Sequence, residues 1–493
     1  MTTSAHARGP QATDWIPRAT LVLHSRDGRT EMLRPDHLAE RLPESRERFR
    51  RSSGGDRSVC LVPDARQPFA RFLTELLAAL AMPHPVALPD TARPTSPVAE
   101  LAAHGIRART LGTDAGHEPP PAAPVALPEG ALLLRTGGTS GRTRFAVNTS
   151  MRRGLVRDSR LSLARAVGLR DGVLALLAGP VGHAAHLSML LDAANHEAEV
   201  HLYESPEPAR VLPDIRRHGI QWLAATPLHL RVMMRQTEDG RGTGELRKLV
   251  HMSAACGEPL KRFWHAALGP ENVYEVFGSS EGIGTTIARG DEWERRPGTV
   301  GRGFYTSVAV LDPAGRPVPA GEPGDVFFAY GAAARPLHIG RGDHVRWTAG
   351  GLVGIGDRGF LDEDGFLHLE TRPQLRITVG GTTVVATDVE DALLGFPWVE
   401  DAAAAGIANQ VTGQRVIGFV VLTADAPDTW AAELAAGLRR DLPAAAVPRK
   451  VFAVGAVPRA PSGKVDRAAL ATMANAHTRT AHTHNAPTQK EPR

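Results

Sequence analysis

Residues Leu132–Arg144 read LLLRTGGTSGRTR, an apolar run that opens into Thr136, Gly137, Gly138, Thr139, Ser140 and Gly141 and closes on Arg142 and Arg144. Glycines let backbone N–H groups approach an anion closely, hydroxyls add donors, and arginines supply charge and forked hydrogen bonds. In chemical terms this is a polyphosphate cradle at the end of a strand, against the plainer alternative of a flexible Gly-Thr turn. No Gly-Lys-Ser/Thr opens a helix here, so the loop is not of the Walker A type.

The segments on either side of this loop repeat one pattern. Ser58–Pro63 (SVCLVP) reads as a short buried strand, followed at helical spacing by Phe69, Phe72, Leu73, Leu76, Leu77 and Leu80. Val173–Ala178 is strand-like and Leu187–Ala194 helix-like, and the apolar runs Gln221–Ala225 and Leu249–Ser253 each adjoin a helical pattern. Strand–helix repetition of this kind predicts parallel sheets covered by helices. From about Gly298 the strands crowd together, punctuated by Asp312–Gly315, Gly321–Gly324 and Asp362–Gly365, which predicts an antiparallel, barrel-like section. Beyond Arg372 an α+β pattern returns. The fold class expected is therefore α/β: a large N-terminal domain of helix-covered sheets with a distorted barrel-like section, over 1–373, and a small α+β C-terminal domain over 374–474. The Pro-rich stretches His84–Pro97 and Glu118–Pro128 read as extended connections. The polar tail 475–493 reads as disordered, its His477, His482 and His484 solvated and not metal-binding.

Composition narrows the function. With 42% hydrophobic residues the chain of 493 can bury a large core, and a net charge of +4 without a Lys/Arg block interleaved with aromatics argues against a nucleic-acid partner. No apolar run reaches membrane-spanning length and the N-terminus carries no signal-peptide pattern. Two distant cysteines, Cys60 and Cys256, form no disulfide framework, so a cytoplasmic protein is expected.

The order of several motifs is more specific than any one of them. The loop at 136–144 resembles the Thr/Ser-Ser-Gly-Thr-Thr-Gly-x-Pro-Lys-Gly signature of the adenylate-forming superfamily, which holds acyl-CoA synthetases, luciferases and peptide-synthetase adenylation domains. Thr143 stands where that signature has proline and Arg144 where it has lysine. Gly179–His186 (GPVGHAAH) resembles the family's Pro-x-x-His segment, with His183 against the acid pocket. Ser253–Leu260 (SAACGEPL) resembles the small-residue turn that accepts adenine, which places Ala254, Ala255 and Cys256 there. Tyr274–Glu281 (YEVFGSSE) resembles the Tyr-Gly-x-Thr-Glu motif: Phe277 would stack on adenine, Ser280 would bond a phosphate oxygen and Glu281 would hold Mg²⁺.

Ile355–Gly365 resembles the family's ribose-binding segment, in which the carboxylate of Asp357 would accept both hydroxyls of the diol. Thr371–Gln374 and Gly380–Gly381 resemble its hinge and the Gly-Gly loop beyond it; Arg372 would contact ribose or phosphate, Gln374 takes the hinge position, and Gly380 and Gly381 would line a thiol entry. Val457–Arg467 (VPRAPSGKVDR) closely matches Pro-x-x-x-x-Gly-Lys-x-x-Arg, which makes Lys464 the catalytic lysine. The resemblance covers roughly Ala131 to Leu470.

The resemblance implies that MgATP adenylates an acid, with His183, Arg144 and Lys464 catalytic and Thr136, Gly138, Thr139, Ser140, Gly141 and Ser280 on the phosphates. It further implies a mobile small domain and transfer to coenzyme A or to the phosphopantetheine of a carrier protein. His183–Ser188, Trp222–Thr226 and Phe277–Gly284, including Gly278 and Gly282, are expected to wall the acid pocket; their small side chains point to a modest apolar or aromatic acid. Two alternatives remain open at this stage: activation of nitrite for diazotisation of an arylamine, and an inactive nucleotide-binding scaffold.

Overall fold

The computed structural model describes residues 15–53, 56–89, 97–111, 125–136, 144–155, 161–205, 207–237, 240–329, 338–339, 345–459 and 465–483. The chain folds as two compact units that divide between Leu369 and Glu370.

The first unit is built on a nine-stranded sheet whose middle is parallel. Val273–Gly278, Lys248–Met252, Trp222–Ala225, Leu174–Leu177, Glu199–Tyr203 and Thr20–His24 run side by side in that order, with antiparallel strands at both edges. These strands read as unbroken apolar runs because both faces are covered. Ala175 and Leu177 pack with Leu187, Met189 and Leu190 on one face, whereas Leu176 packs with Val211, Leu212 and Ile215 on the other. The period-2 alternation of a strand thus feeds two cores at once.

A second sheet joins Cys60–Val62, Val86–Ala87 and Leu132–Thr136 in parallel and pairs Leu132–Thr136 antiparallel with Arg144–Asn148. The Pro-rich segment His84–Pro97 therefore contains a sheet strand at its start; Val86 and Ala87 are fully buried, and burial outweighs the proline content around them. The helix Phe69–Leu80 lies where its spacing predicts. A third sheet, all antiparallel, comprises Val308–Leu311, Gly324–Ala329, Arg346–Trp347, Leu352–Gly354, Arg358–Leu361 and Leu367–Leu369. Its Asp/Gly turns form as read: the amide of Gly315 donates to Asp312 O at 2.9 Å and that of Gly365 to Asp362 O at 2.9 Å.

The second unit has Thr382–Val385, Arg376–Val379, Gly413–Leu422 and Val399–Asn409 in antiparallel order, with Lys450–Ala453 added in parallel. Ala402, Ala404, Val416 and Val420 face the core shared with Val389, Leu393, Leu434 and Leu438, while Ala403, Ile417 and Phe419 face Leu470 and Ala474. The C-terminal helix Arg467–Thr483 runs into the segment expected to be disordered. Its alanines favour the helix, and His477 is held at 5.7 Å from Phe419 and 5.1 Å from Phe452 between ring centroids, so it is not a solvated tail residue.

No helix among the described residues is long and apolar enough to cross a membrane. Cys60 and Cys256 are both buried and neither is in a disulfide.

Arg467 pins the start of that last helix. Its Nη1 and Nη2 donate to Glu390 Oε1 and Oε2 at 2.6 and 3.0 Å, and Glu390 Oε1 also accepts the amide of Ala404 at 2.8 Å. Removing one partner of a largely buried pair leaves an uncompensated charge. Arg467→Met is expected to destabilise the second unit by about 2–3 kcal/mol, the discount from a fully buried pair reflecting partial exposure of the guanidinium. Chemical denaturation followed by intrinsic fluorescence of Trp398 and Trp430 checks this; an unchanged midpoint contradicts it.

Candidate active site

Four neighbouring parallel strands end at the same edge of the large sheet, and each delivers one candidate segment there. Leu174–Leu177 leads to Gly179–His183, Trp222–Ala225 to Thr226, Lys248–Met252 to Ser253–Cys256, and Val273–Gly278 to Ser280 and Glu281. In open α/β sheets the carboxyl ends of the strands are where ligands bind, because the loops there are free to vary over a rigid base.

Glu281 is the best-defined group at this edge. It is 6% exposed, and its Oε1 lies 2.8 Å from Nε2 of His338. Burial alone would raise the carboxyl, but the bond to His338, a backbone amide and the charge of His338 outweigh it and hold Glu281 below the ordinary glutamate value. His338 belongs to a short strand paired with Arg144–Asn148, and that strand forms the exit arm of the hairpin whose loop is 137–143. Thr136 ends the entry arm, paired with Arg144. Gly138, Thr139, Ser140 and Gly141 lie outside the described residues, but the two strands that would present them are defined.

A second set of bonds ties the same loop to the same hairpin. Asn148 Nδ2 donates to the carbonyl of Ser280 at 2.9 Å, and Ser150 Oγ donates to the carbonyl of Gly282 at 2.9 Å. Gly282 has φ +65°, and a Cβ there would come within 2.3 Å of Ser150 Oγ and 2.4 Å of Asn148 Nδ2. The glycine is required twice, by backbone conformation and by space. Gly284 leaves room for the ring of Phe328, whose centroid is 6.5 Å from that of Phe277. The loop that carries Glu281 is thus clamped from the second sheet by Asn148, Ser150 and His338, and from the third sheet by Phe328.

The turn after Lys248–Met252 has an unusual backbone. Ser253 adopts φ +75°, one of two non-glycine residues in the left-handed region among those described. Ala254 and Ala255 are exposed beyond it and Cys256 is buried. Such a conformation in a serine costs on the order of 1 kcal/mol and is typical of functional turns. Gly278 is exposed. Asp357 is 6% exposed at the start of Arg358–Leu361, and its carbonyl accepts the amide of Val326 at 2.9 Å.

His183 caps the helix Ala184–Ala193 and is half-buried, its amide donating to Pro180 O at 3.0 Å. Beside it lies His186, which falls within the expected pocket wall His183–Ser188 but was given no role of its own. His186 is 1% exposed, and neither of its ring nitrogens has a hydrogen-bond partner among the described residues. Burial, with lesser contributions from His229 and His183, pushes its pKa down to about 3, so the ring is neutral. Gly179 makes room for it: a Cβ there would lie 2.0 Å from His186 Nε2. His229 Nδ1 bonds Thr226 Oγ1 at 2.7 Å, and burial lowers its pKa to about 4. The sequence signal for His186 was its spacing of three from His183 on one helix.

Trp222 does not wall the pocket. It is fully buried, its indole N–H donates to Val167 O at 3.0 Å, and it packs in the main core with Ala224. The residue opens its strand, at the end opposite to the candidate edge. A run that is apolar at every position does not reveal which residues reach the loops.

Arg372, Gln374, Gly380 and Gly381 belong to the second unit. Gln374 is exposed in the single turn Pro373–Leu375, and Arg372 is exposed with its carbonyl accepting Leu375 N at 2.9 Å. Gly380 and Gly381, at φ +56° and +83°, form the two-residue turn between Arg376–Val379 and Thr382–Val385, a geometry that glycine adopts without strain. Lys464 lies outside the described residues, but both flanks of its segment are fixed. Arg459 and Val465 pair across a β-bridge, Asp466 N donates to Pro458 O at 2.8 Å, and Arg459 Nε and Nη2 donate to Asp401 at 3.0 and 2.5 Å.

Comparison with known proteins agrees with this geometry. Residues 69–335 match the AMP-binding enzyme family and 388–464 match the AMP-binding enzyme C-terminal domain. A sulfoacetate–CoA ligase from Cupriavidus necator is 29% identical over 84% of this chain and 77% of its own length. A salicyl-AMP ligase/salicyl-S-ArCP synthetase from Mycobacterium tuberculosis is 30% identical over 71% of this chain and 62% of its own. Among solved structures, an anthranilate–CoA ligase in complex with anthranoyl-AMP shares the fold at a TM-score of 0.71 and 19% identity, covering 97% of this chain and all of that one. The order of the motifs, the shared edge at which they converge and the two-part family match make this chain an AMP-forming acid ligase of the adenylate-forming superfamily, an AMP-binding domain followed by its C-terminal domain.

Proposed function

We propose that the chain condenses a small organic acid with ATP to give an acyl- or aryl-adenylate and pyrophosphate, and then passes the acyl group to a thiol of coenzyme A or a carrier protein. The observation that carries this reading is the buried, ionised Glu281 clamped to the hairpin that flanks residues 137–143. A carboxylate kept charged out of water beside a glycine- and hydroxyl-rich anion loop fits a cation shared with nucleotide phosphates. Mg²⁺ bound there would neutralise charge on those phosphates.

In the first step a carboxylate oxygen of the acid bonds to the α-phosphorus of ATP, and the bond from that phosphorus to the bridging oxygen breaks, releasing pyrophosphate. The protein's part is positioning and charge compensation. Thr136, Gly138, Thr139, Ser140, Gly141, Arg144 and Ser280 hold phosphate oxygens. The turn Ser253–Cys256 and Phe277 take the adenine, Asp357 and Arg372 the ribose. Lys464 bridges the attacking oxygen and the α-phosphate. In the second step a thiolate sulfur attacks the acyl carbon and AMP leaves; the hinge at Gln374 and the Gly380–Gly381 turn serve this step.

The acid pocket lies between His183, His186 and the loop Gly278–Gly282. A neutral imidazole with both nitrogens unsatisfied costs about 1–3 kcal/mol unless a ligand pairs with it. His186 therefore supports a small acid that carries a hydrogen-bonding substituent, in preference to a plain hydrocarbon chain.

Pyrophosphate exchange measured across fatty acids, benzoates, cinnamates, amino acids and nitrite tests the function directly. Exchange with a carboxylic acid is expected; exchange with nitrite alone, or with no acid, overturns the reading. With the preferred acid, Lys464→Ala is expected to lower exchange at least about 10²–10³-fold while ATP binding by calorimetry persists; near-normal exchange removes the role. His338→Ala is expected to raise the Mg²⁺ concentration needed for half-maximal exchange about tenfold, because it removes the imidazole that orients Glu281 and helps hold it ionised. An unchanged Mg²⁺ dependence contradicts that. His186→Leu is expected to lower kcat/KM for the polar acid about tenfold or more relative to its unsubstituted parent, and an equal loss for both sinks the assignment.

A further inference from the structure

Three histidines from three separate elements meet on the face of the large sheet that the helix Pro208–His218 covers. His24 ends the strand Thr20–His24, His201 sits in the middle of the neighbouring strand Glu199–Tyr203, and His218 ends the helix Pro208–His218. The parallel register sets Val22 against His201 and His24 against Tyr203, so His24, His201 and Tyr203 share one face. That face lies under the helix, whose Val211, Leu212 and Ile215 pack with Tyr203. Leu21, Leu23, Val200 and Leu202 take the other face. Two of the histidines are nearly sealed, His24 at 5% and His201 at 2% exposure. Positions under a helix are ordinarily filled by aliphatic side chains; imidazoles there cost desolvation that a specific partner must offset.

We propose that His24, His201 and His218 form a binding site for a divalent transition-metal ion of the zinc type, tying the two strands to the helix. One ligand atom from each of the three rings lies within 4.8 Å of the others. The closest pair, His24 Nε2 and His201 Nδ1, is 3.0 Å apart and shares a hydrogen bond that an ion would replace. Two nitrogens at zinc–imidazole distance from one ion are separated by about 2.9 Å at a right angle and about 3.3 Å in a tetrahedron, so this pair already has the spacing of two ligands. His218, half-buried at the end of a helix, has to close by about 1.5 Å to complete a tetrahedral set.

The remaining nitrogens are arranged as metal-binding histidines require. His201 Nε2 bonds Glu199 Oε1 at 3.0 Å, which leaves Nδ1 to bind, and His24 Nδ1 faces Thr30 Oγ1 at 3.4 Å, which leaves Nε2. A carboxylate or hydroxyl behind each imidazole fixes its orientation and, for the carboxylate, strengthens it as a ligand. The carboxylate of Asp214, one helical turn before His218, accepts the hydroxyl of Tyr203 at 2.7 Å and adds negative charge nearby. Arg210, 3.7 Å from that carboxylate, is the opposing cation. The C-terminal end of the helix favours positive charge.

This site is separate from the one that uses ATP. The histidines lie on the sheet face covered by the helix Pro208–His218, whereas Leu187, Met189 and Leu190 of the helix that follows His183 pack on the other face. The all-imidazole ligand set selects zinc, cobalt or nickel over magnesium.

The test is titration of the full chain, without an affinity tag and stripped with chelator, with Co²⁺ followed by Zn²⁺. One equivalent of Co²⁺ is expected to bind with the visible ligand-field absorption of nitrogen coordination, to be displaced by Zn²⁺, and to raise the Tm by about 5 °C at saturation. His218→Ala, at the half-buried position, should weaken Co²⁺ binding at least about 100-fold, and Glu199→Gln about tenfold. Both variants should retain pyrophosphate exchange, which also reports that they fold. Absence of Co²⁺ binding to the wild-type chain at 100-fold excess over protein overturns the proposal. So does equal binding by His218→Ala, which would assign the metal to the tail histidines or another surface group.

Discussion

The architecture of the active edge depends on one clamped loop. Glu281 has to be charged and buried together, and a carboxylate out of water is stable only when its oxygens are paired. His338 supplies the pairing, while Asn148 and Ser150 fix the backbone around it. All three arrive from the sheet that carries the 137–143 loop, whereas Glu281 follows a strand of the large sheet. The carboxylate and the strands that flank residues 137–143 are therefore held in one frame through side-chain and backbone bonds at a sheet junction. The glycines at 282 and 284 follow from this constraint, since a side chain at either would collide with the clamp or with Phe328.

The same economy governs the second unit. Arg467 and Arg459 belong to the segment that surrounds Lys464, and both are committed to carboxylates, Glu390 and Asp401. The β-bridge between Arg459 and Val465 closes the base of the loop. The two arginines thus anchor both flanks of that segment to the sheet of the second unit.

Much of this was legible in the sequence, and the physical reasons for success and failure are distinct. Unbroken apolar strands alternating with helical spacing announced a covered parallel sheet, and Asp/Gly pairs announced the antiparallel one, because both patterns depend on near neighbours. The His338–Glu281 bond joins residues far apart in a segment with no motif of its own, so no local pattern could show it. Trp222 was misread because every residue of its strand is apolar, which hides the direction of each side chain. The last helix continues to Thr483, past residue 474 where the tail was set, because polar composition there hid the alanines and the packing of His477 against Phe419 and Phe452. His186 lay within the expected pocket wall without a role of its own, because only the structure shows that its nitrogens lack partners among the described residues.

The central claim is that nucleotide is held at the carboxyl edge of the large sheet, between the Ser253 turn, the Glu281 loop and Asp357. A crystal structure of the chain with AMP and the preferred acid tests it most directly. The account predicts the adenine against Ala254, Ala255 and Phe277 and the ribose hydroxyls on Asp357. Well-ordered AMP at any other place on the protein would contradict it.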